Sequence, residues 1–353
     1  MPAKRIAVIP GDGIGKEVIP EAVKVLKTAA SALSREVALT EFDWGADRYL
    51  RDGTTLPAGA VEMFEKNFDA ILLGAMGDPR VPSNQHAADI LLGLRFKLDL
   101  YVNARPCVLF DQRLTPLKDR TEKEVNFIVF RENTEGLYVG VGGFFKKGTA
   151  EEIATQEDVN SRRGVERIIR YAFEHARKNG LNRVCMSDKS NALTYGHDLW
   201  QRVFKHVGEE YPEIQASHQY IDNLLLQIVR DPSQFQVIVT CNLFGDIAGD
   251  VGAGLIGGLG LAPSANLHPG RVSLFEPVHG SAPNIAGKGI ANPMGSILAV
   301  GMMFDYFGWS DAAKKIENAV RVALRENKTP VDLGGSLGTR GIGDFIAERV
   351  ASR

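Results

Sequence analysis

Short apolar runs that end near glycine and lead into helical patterns recur along this chain, and that alternation constrains its fold more than any other feature. Residues 5–9 (RIAVI) read as a strand. The turn Gly11-Asp12-Gly13-Ile14-Gly15 follows, then a helix with Val18, Ala22, Val25 and Leu26 on one side. Further strands are read at 68–74, 126–131, 183–186, 237–239 and 272–275. Between them, 91–100 forms a helix carrying Arg95, and Val165, Ile168, Ile169, Ala172 and Ala176 mark an amphipathic helix that stops at Gly180. Residues 293–307 and 311–326 are helical, the last with Ile316, Ala319, Val320, Ala323 and Leu324 on one face. Such alternation predicts an α/β fold with a parallel sheet. Residues 139–158, with glycines and Phe144-Phe145, suit a protruding arm or hairpin.

With 353 residues the chain can form two domains or a two-lobed unit. A hydrophobic content of 44% beside 24% charged residues is that of an ordinary globular protein. Lys+Arg 41 against Asp+Glu 43 leaves a net charge of −2, which provides no footprint for nucleic acid or an acidic membrane. Cys107, Cys185 and Cys241 are far apart and form no CxxC, so buried free thiols are expected, as in a reducing cytoplasm. The N-terminal stretch has no apolar leader core, and the longest apolar-leaning run, 297–307, is too short to span a bilayer. A soluble, cytoplasmic protein is expected.

The stretch 235–260, FQVIVTCNLFGDIAGDVGAGLIGGLG, carries the clearest chemical signal. If the chain turns helical after Asn242, Asp246 and Asp250 lie one above the other on one face. Like charges at that spacing repel, and a divalent cation would offset the repulsion, since hard cations take carboxylate oxygens. Two solvated acids on an exposed turn is the plain alternative. Against it, no Lys, Glu or Gln stands between Gly245 and Gly260.

Three arginines could clamp carboxylates: Arg95 on a helix, Arg105 in NARP and Arg131 at the end of an apolar strand. Tyr138 in GLYVG and Lys189 in MSDKSNAL could serve as acid and base, and a core tyrosine and a surface lysine are the plain readings of each alone. Two glycine patterns mislead. Gly252–Gly257 matches G-x-G-x-x-G, but no strand immediately precedes it, so it reads as a close-packed helix or turn. The N-terminal GDGIG follows a strand with the wrong spacing. Residues 275–293 (FEPVHGSAPNIAGKGIANP), with His279 and Asn292, suit a ligand loop or a long connector.

GDGIGKEV, the NARP arginine, RENTEGLYVG, DKSN, NLFGDIAGD and FEPVHGSAP…AGKGIANP occur in this order. Together they resemble the β-decarboxylating 2-hydroxyacid dehydrogenases, which act on isopropylmalate, isocitrate, homoisocitrate, tartrate or malate. The resemblance covers nearly the whole chain. It implies the non-Rossmann, isopropylmalate-dehydrogenase-like α/β fold, two lobes with a cleft between them. Residues 1–99 and 250–353 would form a large cofactor-binding domain, and 100–249 a small domain with the dimer clasp at about 139–158. Arg95, Arg105 and Arg131 would hold the substrate carboxylates. Asp222, Asp246 and Asp250 would bind Mg²⁺ or Mn²⁺, with Asp222 and Lys189 reaching in from the partner of a homodimer with shared active sites. Lys189 would help deprotonate the 2-hydroxyl, and Tyr138 would protonate the enol after decarboxylation. Asn191 would lie near the nicotinamide of NAD. His279, Gly280, Ser281, Ala282, Asn284 and Asn292 would hold its adenosine end.

In isocitrate enzymes the helix before Arg95 carries Ser and Asn for the γ-carboxylate. Here Asp89 and Leu91 stand at those positions, followed by Leu92. Leu91 and Leu92 cannot pair a third carboxylate but can pack an isopropyl group, which favours an isopropylmalate-type 2-hydroxy dicarboxylate and a place in leucine biosynthesis. Two positions depart from the family pattern. Ala88 stands where many isopropylmalate enzymes carry an acid, and Asn284 where an NAD-selecting Asp is usual. Asn can hydrogen-bond a ribose 2′-OH, and no Lys, Arg or Tyr at 284–285 suits a 2′-phosphate. The rivals are D-malate/tartrate or homoisocitrate dehydrogenase, a non-catalytic regulatory subunit of this fold, and a sugar-phosphate or anion-binding protein. Only the enzyme readings explain an acid, a base and an acid pair together.

Overall fold

The computed structural model describes residues 3–352; Met1, Pro2 and Arg353, at the outer ends of the expected large domain, lie outside the described residues. The strands are β1 (Lys4–Ile9), β2 (Val37–Glu41), β3 (Ala70–Leu73), β4 (Val102–Val108), β5 (Asn126–Glu132), β6 (Gly142–Phe145), β7 (Ile153–Gln156), β8 (Arg183–Asp188), β9 (Gln215–Tyr220), β10 (Val237–Thr240), β11 (Pro263–Leu267) and β12 (Ser273–Pro277). The helices are α1 (Gly15–Ala32), α2 (Ala46–Asp52), α3 (Ala60–Asn67), α4 (Gln85–Lys97), α5 (Arg162–Lys178), α6 (Gly196–Gly208), α7 (Ile221–Arg230), α8 (Asn242–Leu255), α9 (Met294–Tyr306), α10 (Ser310–Arg325) and α11 (Thr339–Ala351).

Ten strands form one sheet in the order β2-β1-β3-β12-β11-β4-β5-β10-β8-β9. Strands from both ends of the chain make one half, and strands from its middle make the other. Each half is parallel within itself: β1 pairs with β2 and β3, β3 with β12, β10 with β5 and β8, and β8 with β9. The centre is not. β12–β11, β11–β4 and β4–β5 are antiparallel, which corrects the expectation of a parallel sheet. A short turn joins β11 to β12, and antiparallel pairs alone can be joined that way, since parallel pairs need a long crossover.

The helical periodicities bury as the sequence predicts. Val165, Ile168, Ile169, Ala172 and Ala176 of α5 are fully buried, as are the four residues of β10. Residues 139–158 form the expected hairpin, β6 against β7, whose residues are all exposed. No helix among the described residues is long and apolar enough to cross a membrane.

Helix α8 explains the glycine-rich stretch. Gly245, Gly249 and Gly252 recur at helical spacing and face β4 and β5. A Cβ on Gly245 would lie 2.4 Å from Arg131 Cβ, one on Gly249 2.5 Å from Arg105 Cδ, and one on Gly252 2.2 Å from Cys107 Sγ. The G-x-G-x-x-G match therefore lies in and just beyond the last turn of a helix that packs closely on two strands.

Candidate active site

The first turn of α8 begins the site. Asn242 is buried, and its Oδ1 accepts from Arg131 Nε (2.9 Å) and Nη2 (2.6 Å), while its Nδ2 donates to the Glu135 carbonyl (3.0 Å). One turn on, Asp246 Oδ1 accepts from Arg105 Nη2 at 2.9 Å and from Arg131 Nη1. Asp246 Oδ2 accepts from the Tyr138 hydroxyl at 3.0 Å. Asp250, a further turn along, accepts from Arg105 Nη1 at 3.3 Å. The acid pair thus shares one face of α8, and the arginines of β4 and β5 lie against it.

All three arginines are buried, with 6% of Arg95, 7% of Arg105 and 1% of Arg131 exposed. Burial pushes the Arg131 guanidinium down to about 10, and the positive charges of Arg105 and Arg95 push the same way. Clustered buried cations of this kind need anions and hydrogen-bond acceptors to hold them. Asp246 supplies one, and Arg131 and Arg105 keep its carboxyl below the usual range although burial opposes them. Glu276 at the end of β12 supplies another, accepting from Arg95 Nη2 at 2.9 Å. Arg95 Nε is buried with no partner, a donor left for a further anion. Burial raises the Tyr138 hydroxyl, with Arg131 opposing and Asp246 reinforcing, so the phenol stays protonated and able to donate. The Arg131 guanidinium lies 4.9 Å from its ring centroid. Leu91 and Leu92 are half-buried on α4, Leu91 one turn before Arg95.

The second group of predicted residues lies elsewhere. Lys189 Nζ donates to Asp222 Oδ1 at 2.5 Å, and no hydrogen bond or ion pair among the described residues links this pair to Asp246 or Asp250. No three His, Cys, Asp or Glu side chains converge as a metal site among the described residues. Asp246 and Asp250 are nonetheless the right donors for a hard dication: two carboxylates one helical turn apart, partly open to solvent. Burial and the charge of Asp246 raise the Asp250 carboxyl against the pull of Arg105.

The third group borders the N-terminal turn. Ser281 accepts from Ile14 N–H at 2.9 Å, and Glu17 accepts from the Gly287 and Gly289 amides. Ala282 is held at φ +41°, a left-handed conformation that costs energy in a non-glycine residue. His279 Nδ1 lies 3.0 Å from the Gly280 carbonyl, and Nε2 is buried with no partner. Gly280 and Asn284 are exposed, whereas Asn292 is buried and donates to Asp332 at 3.2 Å. Asn191, just beyond Lys189, is exposed. The pinned loop presents an open rim and a buried ring nitrogen, as a site for a polar, planar ligand would.

Sequence reasoning passed over Asn242, Glu276 and Asp12. Asp12 is buried and accepts from Ala46 N (2.6 Å) and Gly77 N (2.8 Å), with His86 Nε2 at 2.8 Å. A signal existed for two of them, since Asn242 opens the helix and Glu276 ends a buried strand, positions where a polar residue needs a partner.

The sequence profile described as isocitrate/isopropylmalate dehydrogenase matches residues 5–346. The 3-isopropylmalate dehydrogenase of Thermobifida fusca (strain YX) is 46% identical over 351 residues, covering 99% of this chain and 98% of that one. That of Bifidobacterium longum (strain DJO10A) is 47% identical over 324 residues, covering 91% and 93%. Among solved structures, isocitrate dehydrogenase from Methylococcus capsulatus superposes with a TM-score of 0.89 at 38% identity, covering 99% and 100%. The TT0538 protein from Thermus thermophilus gives 0.87 at 36%, covering 99% of this chain and 69% of that one.

Proposed function

This chain belongs to the isocitrate/isopropylmalate dehydrogenase family, and from that premise we propose that it oxidises and decarboxylates 3-isopropylmalate in leucine biosynthesis, with NAD and Mg²⁺ or Mn²⁺. It is a decarboxylating hydroxyacid dehydrogenase acting on a small molecule. The observation that carries the reading is that two buried arginines, Arg105 and Arg131, and a protonated tyrosine meet on the α8 acid pair, with the buried Arg95 held by Glu276.

Arg95, Arg105 and Arg131 bind the two substrate carboxylates; the free Arg95 Nε supports this. Leu91 and Leu92 receive the isopropyl group. A third carboxylate would meet only hydrocarbon there, which disfavours isocitrate. Asp246 and Asp250, with Asp222 of the partner subunit, would hold the metal. Bound there, the dication would supply Lewis acidity for charge on the C2 oxygen, and NAD would supply the hydride acceptor. Lys189 of the partner subunit takes the 2-hydroxyl proton. Tyr138 returns a proton once CO₂ has left. His279, Gly280, Ser281, Ala282, Asn284 and Asn292 border the adenosine, and Asn191 the nicotinamide.

The homodimer is part of this proposal. Two features support it: Lys189 and Asp222 pair with each other and make no hydrogen bond or ion pair to Asp246 or Asp250 of their own chain, and large apolar side chains lie exposed on the hairpin and on α7. Phe144, Phe145 and Ile153 of the hairpin are 62%, 61% and 56% exposed, and Leu226 of α7 is 53% exposed. We take residues 1–99 with 250–353 as the cofactor-binding domain and 100–249 as the small domain, α8 running across the second passage between them.

The test is reduction of NAD⁺ and NADP⁺, with Mg²⁺, on 3-isopropylmalate, D-malate, tartrate, isocitrate and homoisocitrate. Preference for 3-isopropylmalate with NAD⁺ is expected. Preference for malate or tartrate would mean that Leu91 and Leu92 close the pocket. No turnover of any would mean a regulatory subunit.

A further inference from the structure

Lys189 has no regular element of its own; it follows the last residue of β8, at the start of an irregular segment that ends at α6. Its backbone is nonetheless fully engaged. The Lys189 carbonyl accepts from the Ala192 and Leu193 amides at 2.9 and 2.8 Å, and the Lys189 amide donates to His197 Nδ1 at 2.8 Å. On the other side, Asp188 is buried and accepts from Ser190 N (3.0 Å) and Gln201 Nε2 (2.6 Å), with His218 Nε2 at 2.9 Å.

His197 is 1% exposed, in the first turn of α6, with its ring edge-on to Phe244 at 5.4 Å. A backbone amide can only donate, so Nδ1 carries the lone pair and Nε2 the proton. That Nε2 is buried, without a full hydrogen bond, 3.5 Å from Asp158 Oδ2. Asp158 is fixed in turn by Asn160, whose Nδ2 donates to Asp158 Oδ2 at 2.9 Å and whose Oδ1 accepts from Trp200 Nε1 at 2.8 Å. Asp158 lies just beyond β7, where the exposed hairpin returns to the body. A carboxylate facing Nε2 favours the proton there and leaves Nδ1 free to accept.

We propose that His197 is a positioning residue for Lys189: its Nδ1, oriented by Asp158 at the root of the hairpin, holds the lysine's peptide so that the side-chain amine projects from a fixed point. The proposal rests on the role given to Lys189 under Proposed function. Through Asp158, the seat of that lysine is tied to the hairpin proposed to bind the partner subunit.

Three substitutions separate positioning from packing. Asparagine places an oxygen where Nδ1 stands, glutamine reaches toward the Nε2 position, and leucine fills the space without either. Full-length His197→Leu and His197→Gln should lose about tenfold in turnover, roughly the worth of one hydrogen bond, with little change in KM. His197→Asn should recover most of it. Hydrogen exchange of the segment 186–193 should quicken in the Leu and Gln variants and stay slow in the Asn variant. Equal turnover and equal exchange in Asn and Gln variants would overturn the proposal, even if the Leu variant did not fold. Altered exchange with unaltered turnover would overturn it too. Lys189→Met, measured alongside, tests the separate premise: near-normal turnover there would remove the base assignment while the exchange result still reported on the His197 contact.

Discussion

At the scale of single residues, the proposed choice of substrate falls on Leu91. The carboxylate clamps are common to every 2-hydroxy dicarboxylate, so discrimination falls to the side chains before Arg95 on α4. Each methylene of an isopropyl group buried against Leu91 and Leu92 is worth about 1–3 kcal/mol. Leu91→Ser should therefore lower kcat/KM for 3-isopropylmalate by roughly tenfold or more and leave D-malate, which has no branched group to bury, nearly unaffected. Equal losses on both substrates would remove Leu91 from the pocket. Arg131 shows the other residue-scale lesson. A guanidinium 1% exposed is tenable because Asn242 and Asp246 engage it from successive turns of one helix.

At the scale of elements, α8 approaches β4 and β5 closely only because its inner face is glycine. Gly249→Ala would put a Cβ 2.5 Å from Arg105 Cδ. We expect a loss of about 1–3 kcal/mol in urea unfolding, together with a higher KM if the displaced side chain is the proposed carboxylate clamp. Gly254→Ala, where nothing lies within 4 Å, should be neutral or stabilising by up to about 1 kcal/mol, the difference in helix propensity. If both variants behaved alike, close packing would not be the reason for the glycines. Helix α5 carries a second prediction. His175 packs its ring against Phe130 at 4.8 Å, and burial, aided by Lys178, pushes it down to about 4 from an ordinary 6.5. A depressed histidine leaves the unfolded chain binding more protons between those values. Stability contributed by the neutral ring is thus complete above pH 6.5 and is lost as the pH falls toward 4. Thermal unfolding scans from about pH 7 to about pH 4 should show a fall in Tm that is smaller in His175→Leu; an identical fall in both would exclude His175 as the cause.

At the scale of the molecule, the arrangement of charges argues for sites shared between two chains. Within one subunit no hydrogen bond or ion pair among the described residues joins the arginine–aspartate–tyrosine cluster to the Lys189–Asp222 pair. If each site takes its lysine from the partner, Lys189→Met and Asp246→Asn should each be inactive alone, and refolding the two together should restore activity. A heterodimer has one site with both defects and one with neither. No recovery, with heterodimers shown to form, would mean that each chain supplies its own lysine.

Much of this was legible in the sequence because it depends on neighbours along the chain. Apolar period and glycine turns predicted an α/β fold, the buried face of α5 and the hairpin, and the i,i+4 spacing placed Asp246 and Asp250 on one face of α8. The antiparallel centre of the sheet was not legible. β4 contains Asn103, Arg105 and Pro106, which hide its strand pattern; Pro106 is tolerated because β11 pairs only with Val102–Ala104 and leaves its nitrogen side free. β2 and β9 are edge strands with mostly exposed residues, and an edge does not require an apolar run. Nor could spacing show that Asn242 binds Arg131 or that His197 seats Lys189. Local periodicity reports which face of an element turns inward. Which polar groups then meet is decided by long-range packing, where each buried donor must find an acceptor far away in the chain.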